Sequence, residues 1–187
     1  HQNSTASNTK SKGNVSYSTK KAMAEHLRRV GLRGRVVDGP LFGTCRVVYE
    51  LPEKLPLVSI IIPTKDLADS LETCLNSIFN RSTYANYEVI IVDTGSTEPA
   101  TAELFERLKE EPRVKIVSWD VKPFNYSAVN NFATKHAKGD FFLFLNNDVE
   151  VSASDWIESM LEYAVREDVG AVGAKLLYPD ETVQHGG

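Results

Sequence analysis

Four apolar runs, each followed by a segment with helical spacing, dominate the chain from Leu57 onward and restrict its architecture more than any other feature. Val58-Ser59-Ile60-Ile61-Ile62, Tyr87 to Val92, Val114 to Ser118 and Phe141 to Leu145 are rich in β-branched and aromatic residues. That is the pattern of strands buried on both faces. Pro63 is expected to end the first strand. Leu67, Leu71, Leu75, Ile78 and Phe79 then share one helical stripe, with Asp66 available as N-cap. Pro99 opens a helix carrying Leu104, Phe105 and Leu108; Asn125 caps one carrying Val129, Phe132 and Ala133; Ser154 caps one carrying Ile157, Met160 and Leu161. Val169 to Val172 reads as the start of a fifth strand. The repeat length of roughly 26–30 residues is that of a βα crossover. Such alternation predicts an α/β fold: a mainly parallel sheet with helices on both faces.

Ahead of this region the pattern is weaker. His1 to Lys20 holds little that a core would bury and reads as a disordered arm or a segment foreign to the natural chain. Residues 21–56 form a preamble: a short helix from Ala22 to Val30 stopped by Gly31, then two short strands around Gly39-Pro40. The main domain is expected over 57–187. The net charge of −4 supplies no general field for nucleic acid or an anionic membrane, although a local basic patch is compatible with it. Two cysteines, Cys45 and Cys74, are too few for a disulfide framework and are expected to be reduced thiols. No run approaches the roughly 18 apolar residues of a membrane span, and the N-terminus lacks a signal-peptide core, so a cytoplasmic protein is expected. The four Asn-X-Ser/Thr sequons are discounted for the same reason.

In parallel α/β sheets ligands bind beyond the carboxyl ends of the strands, so the residues there carry the functional signal. After the first strand stand Pro63-Thr64-Lys65-Asp66, either a loop touching a ligand base or a helix cap. Asp93 ends the second strand, suited to accepting from a ribose or a base N–H but equally to a turn. The run Phe141 to Leu145 delivers Asn146-Asn147-Asp148-Val149-Glu150 to the sheet edge. Folding alone does not require so polar a cluster there. Its oxygens suit a hard cation such as Mg2+ or Mn2+ that neutralises a diphosphate, with Asp148 or Glu150 as ligand; the plain alternative is an Asx-rich turn. Asn125 and Asn131 place polar groups at the start of a helix, which favours anions but also ordinary capping. Trp119 and Phe124 are expected to pack rather than to stack on a ligand, and His185 carries no interpretable signal.

Together, Val58 to Thr64, Tyr87 to Thr97, Phe124 to Ala133 and Phe144 to Asp148 resemble the nucleotide-binding half of a family-2 glycosyltransferase of the glycosyltransferase-A fold. The resemblance covers about Leu57 to Gly187, and the preamble resembles a segment preceding this domain in some bacterial polysaccharide-synthesising members. It implies transfer of a sugar from a nucleoside diphosphate donor to a glycan or lipid-linked acceptor, with inversion, in the cytoplasm or at the cytoplasmic face of the membrane. On that resemblance Pro63, Thr64, Asp66 and Asp93 contact the nucleoside, and Asp93 accepts the N3–H of uracil or thymine, which favours UDP or dTDP. Asn147 and Asp148 match the last two positions of the family's metal motif, so Asp148 holds Mg2+ or Mn2+ and Asn147 lies near ribose or metal. Asn125 and Asn131 belong to the helix motif.

Two departures stand out. The metal motif is Asn-Asn-Asp rather than acid-rich, and Asn130 stands where many members carry Arg. The general base of the family lies beyond Gly187, so the expectation is weak donor binding and no transfer by these residues alone, with self-association through a raw sheet edge. A dinucleotide-dependent dehydrogenase or P-loop nucleotidase would need a Gly-rich turn after the first strand, which Pro63 to Leu67 does not supply. A nucleotidyltransferase would carry a Gly-rich basic loop there. The remaining rival is a non-catalytic nucleotide-binding or scaffold module.

Overall fold

The first sheet crossover already sets which helix covers which face. The computed structural model describes residues 9–186, with side chains from Tyr17 onward. In chain order its elements are α1 (Thr9–Arg29), β1 (Gly34–Asp38), β2 (Cys45–Tyr49), β3 (Val58–Thr64), α2 (Ala68–Arg81), β4 (Tyr87–Asp93), α3 (Pro99–Leu108), β5 (Val114–Ser118), α4 (Tyr126–Thr134), β6 (Phe141–Phe144), α5 (Trp156–Ala164), β7 (Leu176–Leu177) and β8 (Val183–His185). The central sheet is wholly parallel, in the order β5-β4-β3-β6. The crossovers β3-α2-β4 and β4-α3-β5 step the same way along it, so the right-handed rule places α2 and α3 on one face. The crossover from β5 to β6 returns past both strands and puts α4 on the other. There Val129 and Ala133 of α4 cluster with Ile61, Ile90 and Val92, backed by Trp119 and Phe132. Leu71, Leu75 and Ile78 of α2 are at most 1% exposed. Burial of such a side chain stabilises by about 1.5–3 kcal/mol each.

Contacts divide the chain into two units. One is Pro52–Ile157, which holds the parallel sheet; the other joins the described residues up to Leu51 to those from Glu158. In the second unit the β1–β2 hairpin pairs antiparallel from Gly34↔Tyr49 to Asp38↔Cys45. The buried Glu162 carboxylate accepts from the Arg46 guanidinium and, at 2.9 Å, from the Tyr49 N–H. These bonds are why residues after 157 group with the preamble.

Several elements differ from the sequence expectations. α1 begins at Thr9, so it takes in residues 9–20 assigned above to a disordered arm, while residues 1–8 lie outside the described ones. Ser, Thr and Lys each carry only a fraction of a kcal/mol of helix penalty, and extending an existing helix is easier than nucleating one. Pro63 does not end β3: the strand runs through it to Thr64. The carbonyl of Ile61 accepts from Leu145 on the β6 side, so Pro63, two residues on, presents its nitrogen to that side too. The β6 ladder ends at Ile61↔Phe144, and no donor is needed there. Val169 to Val172 forms no fifth strand. Gly170 within that run and Gly173 after it weaken an extended ladder, and the short antiparallel β7 and β8 follow instead. Among the described residues no helix is long and apolar enough to cross a membrane.

Candidate functional site

The carboxyl ends of β3, β4 and β6 meet at one edge of the sheet within Pro52–Ile157, and hydrogen bonds between their terminal residues define the site. Thr64 pairs in register with Asp93. The Thr64 carbonyl accepts from both the N–H and the hydroxyl of Thr94, each at 2.9 Å. The Thr64 hydroxyl accepts from the Asn147 side-chain amide at 2.9 Å. Thr64 is buried and Pro63 half-buried, so the strand end is a fixed floor rather than a loose loop. Thr64, Asp93 and Asn147 are thus brought together as the sequence suggested.

Asp93 is half-buried and one of its oxygens already accepts from Gly95 N (3.2 Å) and Ser96 N (2.8 Å). Those bonds hold one carboxylate oxygen in the turn after β4, and a carboxylate's second oxygen has acceptor capacity of its own. Gly95 has φ +97°, a conformation L side chains rarely adopt, and a Cβ there would meet the Asp120 carboxylate at 3.0 Å. Asp120 and Lys122, ion-paired at 2.9 Å, therefore border the same loop.

Asp66 has a structural task. It is not the N-cap of α2, a position held by Leu67 with no side-chain bond. Its carboxylate reaches across to accept from Thr97 N (2.7 Å) and Glu98 N (2.9 Å) at the approach to α3, while its own N–H donates to Ser96. The N–H groups of Glu98 and Thr97 hold its carboxyl below the usual carboxylate range. Asp66 and Leu67 both sit at positive φ, which turns the side chain away from α2.

Asn125 caps α4, accepting from Ala128 N at 2.9 Å, which is the capping alternative. Asn131 is exposed on α4. Trp119 packs on Phe132 at 4.8 Å, as expected, but Phe124 is exposed and does not pack as expected.

Asp148 is exposed and, with Asp69 and Glu150, lines a cleft of about 260 Å3. Glu150 is ion-paired to Arg81 at 2.7 Å, and Arg81 also donates to the Val151 carbonyl. Among the described residues no three His, Cys, Asp or Glu side chains converge as a ready-made metal site. The donor set still fits a hard cation held by one carboxylate and completed by substrate phosphate oxygens, the usual mode for Mg2+. Cys74 lines the same cleft, its thiol pushed up to about 12 by burial, with the Asp148 carboxylate adding to the shift. It is inert as a nucleophile.

Sequence reasoning missed Thr94, Ser96 and Arg81. Thr94 and Ser96 follow a strand-ending Asp, and small hydroxyl residues there signal a hydrogen-bonded turn; Arg81 left no signal, since its partners are about 70 residues away.

The family model for glycosyl transferase family 2 matches residues 59–186. An uncharacterized Sinorhizobium fredii protein, y4gI, is 42% identical over 98% of this chain, and the O-antigen biosynthesis protein RfbC of Myxococcus xanthus is 44% identical over 89% of it. The chain spans only 20% and 13% of those relatives' lengths. A mannosyltransferase of Pyrobaculum calidifontis, solved with GDP-Man and Mn2+, superposes with a TM-score of 0.61 at 26% identity, covering 72% of this chain and 39% of that one.

Proposed function

The chain belongs to glycosyltransferase family 2 and has its α/β, glycosyltransferase-A architecture; from that premise we propose that residues Pro63 to Glu150 form the donor half of an inverting transferase that holds a nucleoside diphosphate sugar. The observation that carries this reading is the 2.9 Å bond from Asn147 to Thr64, which ties the loop after β6 to the strand end that pairs with Asp93. The second oxygen of Asp93 accepts an imide-type N–H of the base, for which uracil and thymine are the favoured fits. Asp148 would hold a Mg2+ or Mn2+ ion together with the donor's phosphates. When bound, such an ion stabilises charge developing on the departing diphosphate. That the mannosyltransferase neighbour was solved with GDP-Man and Mn2+ supports a nucleotide sugar and a divalent cation as the ligands.

Three further carboxylates at this edge are engaged: Asp66 holds the approach to α3, Asp120 is paired with Lys122 and Glu150 with Arg81. No residue of this chain is assigned as the base that deprotonates the acceptor hydroxyl, and residues 1–187 alone are proposed to bind donor without transferring sugar. The acceptor is proposed to be a glycan or lipid-linked glycan at the cytoplasmic face of a membrane. A thermal-shift panel of UDP, dTDP, GDP and ADP, each with and without Mn2+, tests the donor reading, because a ligand of the native state raises Tm by mass action. UDP or dTDP should raise it most, and Asp93→Asn should abolish the preference among bases. An identical shift for all four nucleotides in both proteins would remove Asp93 from the base site.

A further inference from the structure

The N-terminal helix and hairpin combine two features that the donor site does not use. Residues 1–51 carry nine Lys and Arg against three Asp and Glu, a net +6, while the whole chain is −4. Arg46 is spent on the buried Glu162. The three acids of the segment form exposed ion pairs, Lys20–Asp38 (2.7 Å), Arg28–Glu25 (4.0 Å) and Arg33–Glu50 (3.9 Å), so an excess of positive charge remains. Lys21, Arg29 and Arg35 are all exposed.

The second feature is the tip of the β1–β2 hairpin. Leu41 is 71% and Phe42 78% exposed. They do not belong to a loose loop. The Thr44 hydroxyl donates to the Leu41 carbonyl (2.6 Å) and accepts from the Leu41 N–H (3.3 Å), Thr44 N donates to the same carbonyl, and Gly39 N donates to the Thr44 carbonyl. Gly43, at φ +80°, completes the turn. A Gly-Pro turn closes equally well with polar residues, which would avoid hydrating two large apolar side chains. The Lys20–Asp38 pair sets the turn end of the hairpin beside α1, so the apolar tip lies next to a basic helix.

From this juxtaposition we propose that the helix–hairpin segment docks on an anionic lipid bilayer: Leu41 and Phe42 enter the headgroup–acyl boundary, and exposed cations such as Lys21, Arg29 and Arg35 meet acidic headgroups. An apolar tip held by a hydrogen-bonded turn, on a segment with an excess of positive charge, is complementary to that surface in both chemistries at once. A nucleic acid would use the cations but offer nothing to Leu41; an apolar protein groove would use the tip but not the charge. The inference does not rest on the donor-site reading, since its probe is lipid alone.

The test is flotation of residues 1–187 with vesicles of 30% phosphatidylglycerol in phosphatidylcholine, against pure phosphatidylcholine, at low and high salt. The protein should float with the acidic vesicles, at least tenfold less with the neutral ones, and be released by salt. The double variant Leu41→Ser/Phe42→Ser should lose at least tenfold in partitioning with an unchanged thermal melt. As a gain-of-signal control, Leu41→Trp should keep binding and show a blue-shifted fluorescence that brominated lipids quench. Absence of flotation by the wild type, equal flotation by the Ser double variant, or an indole signal in Leu41→Trp that brominated lipids leave unquenched would each overturn the proposal. So would a dimer in gel filtration that the tip substitution dissolves, since the tip would then seat a second copy.

Discussion

Replacing Arg46 by Met isolates the interaction that binds the chain's two ends into one unit. Met keeps the apolar stem of Arg and removes its charge, leaving Glu162, only 2% exposed, with the Tyr49 N–H as its remaining named partner. Stripping one partner from a fully buried ion pair costs about 3–5 kcal/mol. Here the Arg46 side chain is 39% exposed, so water reaches one end of the pair and the cost falls between the buried and surface cases, at about 2–3 kcal/mol. Glu162→Gln keeps an acceptor for Tyr49 but loses the charge-assisted bond, at about 1–2 kcal/mol. With both substitutions no uncompensated charge is left, and the double variant should cost about 1–2 kcal/mol, well below the sum of the singles. Urea denaturation followed by circular dichroism reads all four proteins. A cost for Arg46→Met below about 0.5 kcal/mol, within the range of ordinary surface substitutions, would mean that the pair does not hold the two segments together, as would strict additivity.

Gly139→Ala should destabilise by about 1–3 kcal/mol in the same assay, because a Cβ there would meet the Ser59 backbone N at 2.7 Å and the Leu57 carbonyl at 2.8 Å, neither of which can swing aside. A thiol reagent at pH 8 should label Cys45 quickly and the buried Cys74, whose thiol stands at about 12, only on unfolding; two fast thiols would contradict the packing of α2. Asp66 has its folded pKa depressed by the Glu98 and Thr97 N–H groups, so its contribution is present above the usual carboxylate range and is lost as pH falls through the folded value. Asp66→Asn should therefore melt below wild type at neutral pH, with the gap closing below about pH 4, and a gap that widens on acidification would reverse the sign.

The parallel sheet was legible because strands buried on both faces leave long β-branched runs, as in Ile60-Ile61-Ile62 and Val89-Ile90-Ile91-Val92. What the sequence hid was non-local. Pro63 looks like a terminator until the β6 ladder is seen to stop short of it. Val169 to Val172 has strand composition, yet the glycine within it, the glycine after it and the absence of a partner in the sheet leave it irregular. At the site, the convergence of Thr64, Asp93 and Asn147 followed from the rule that ligands gather at strand ends. The competition between ligand and cap was not decidable from residue type. Asn125 caps its own helix through the Ala128 N–H, Asp66 is drawn to backbone N–H groups about 30 residues away, and Glu150 is engaged by an Arg81 nearly 70 residues earlier.

A cation-assisted diphosphate site beside Thr64 and Asn147 stands or falls on calorimetric titration of UDP into wild type and Asp148→Ala, each with Mn2+ and with chelator. Wild type should bind in a Mn2+-dependent way, Asp148→Ala should lose that dependence, and both proteins should melt at the same temperature without ligand. Mn2+-dependent binding of equal strength in both proteins would contradict the assignment of Asp148 as the cation's ligand.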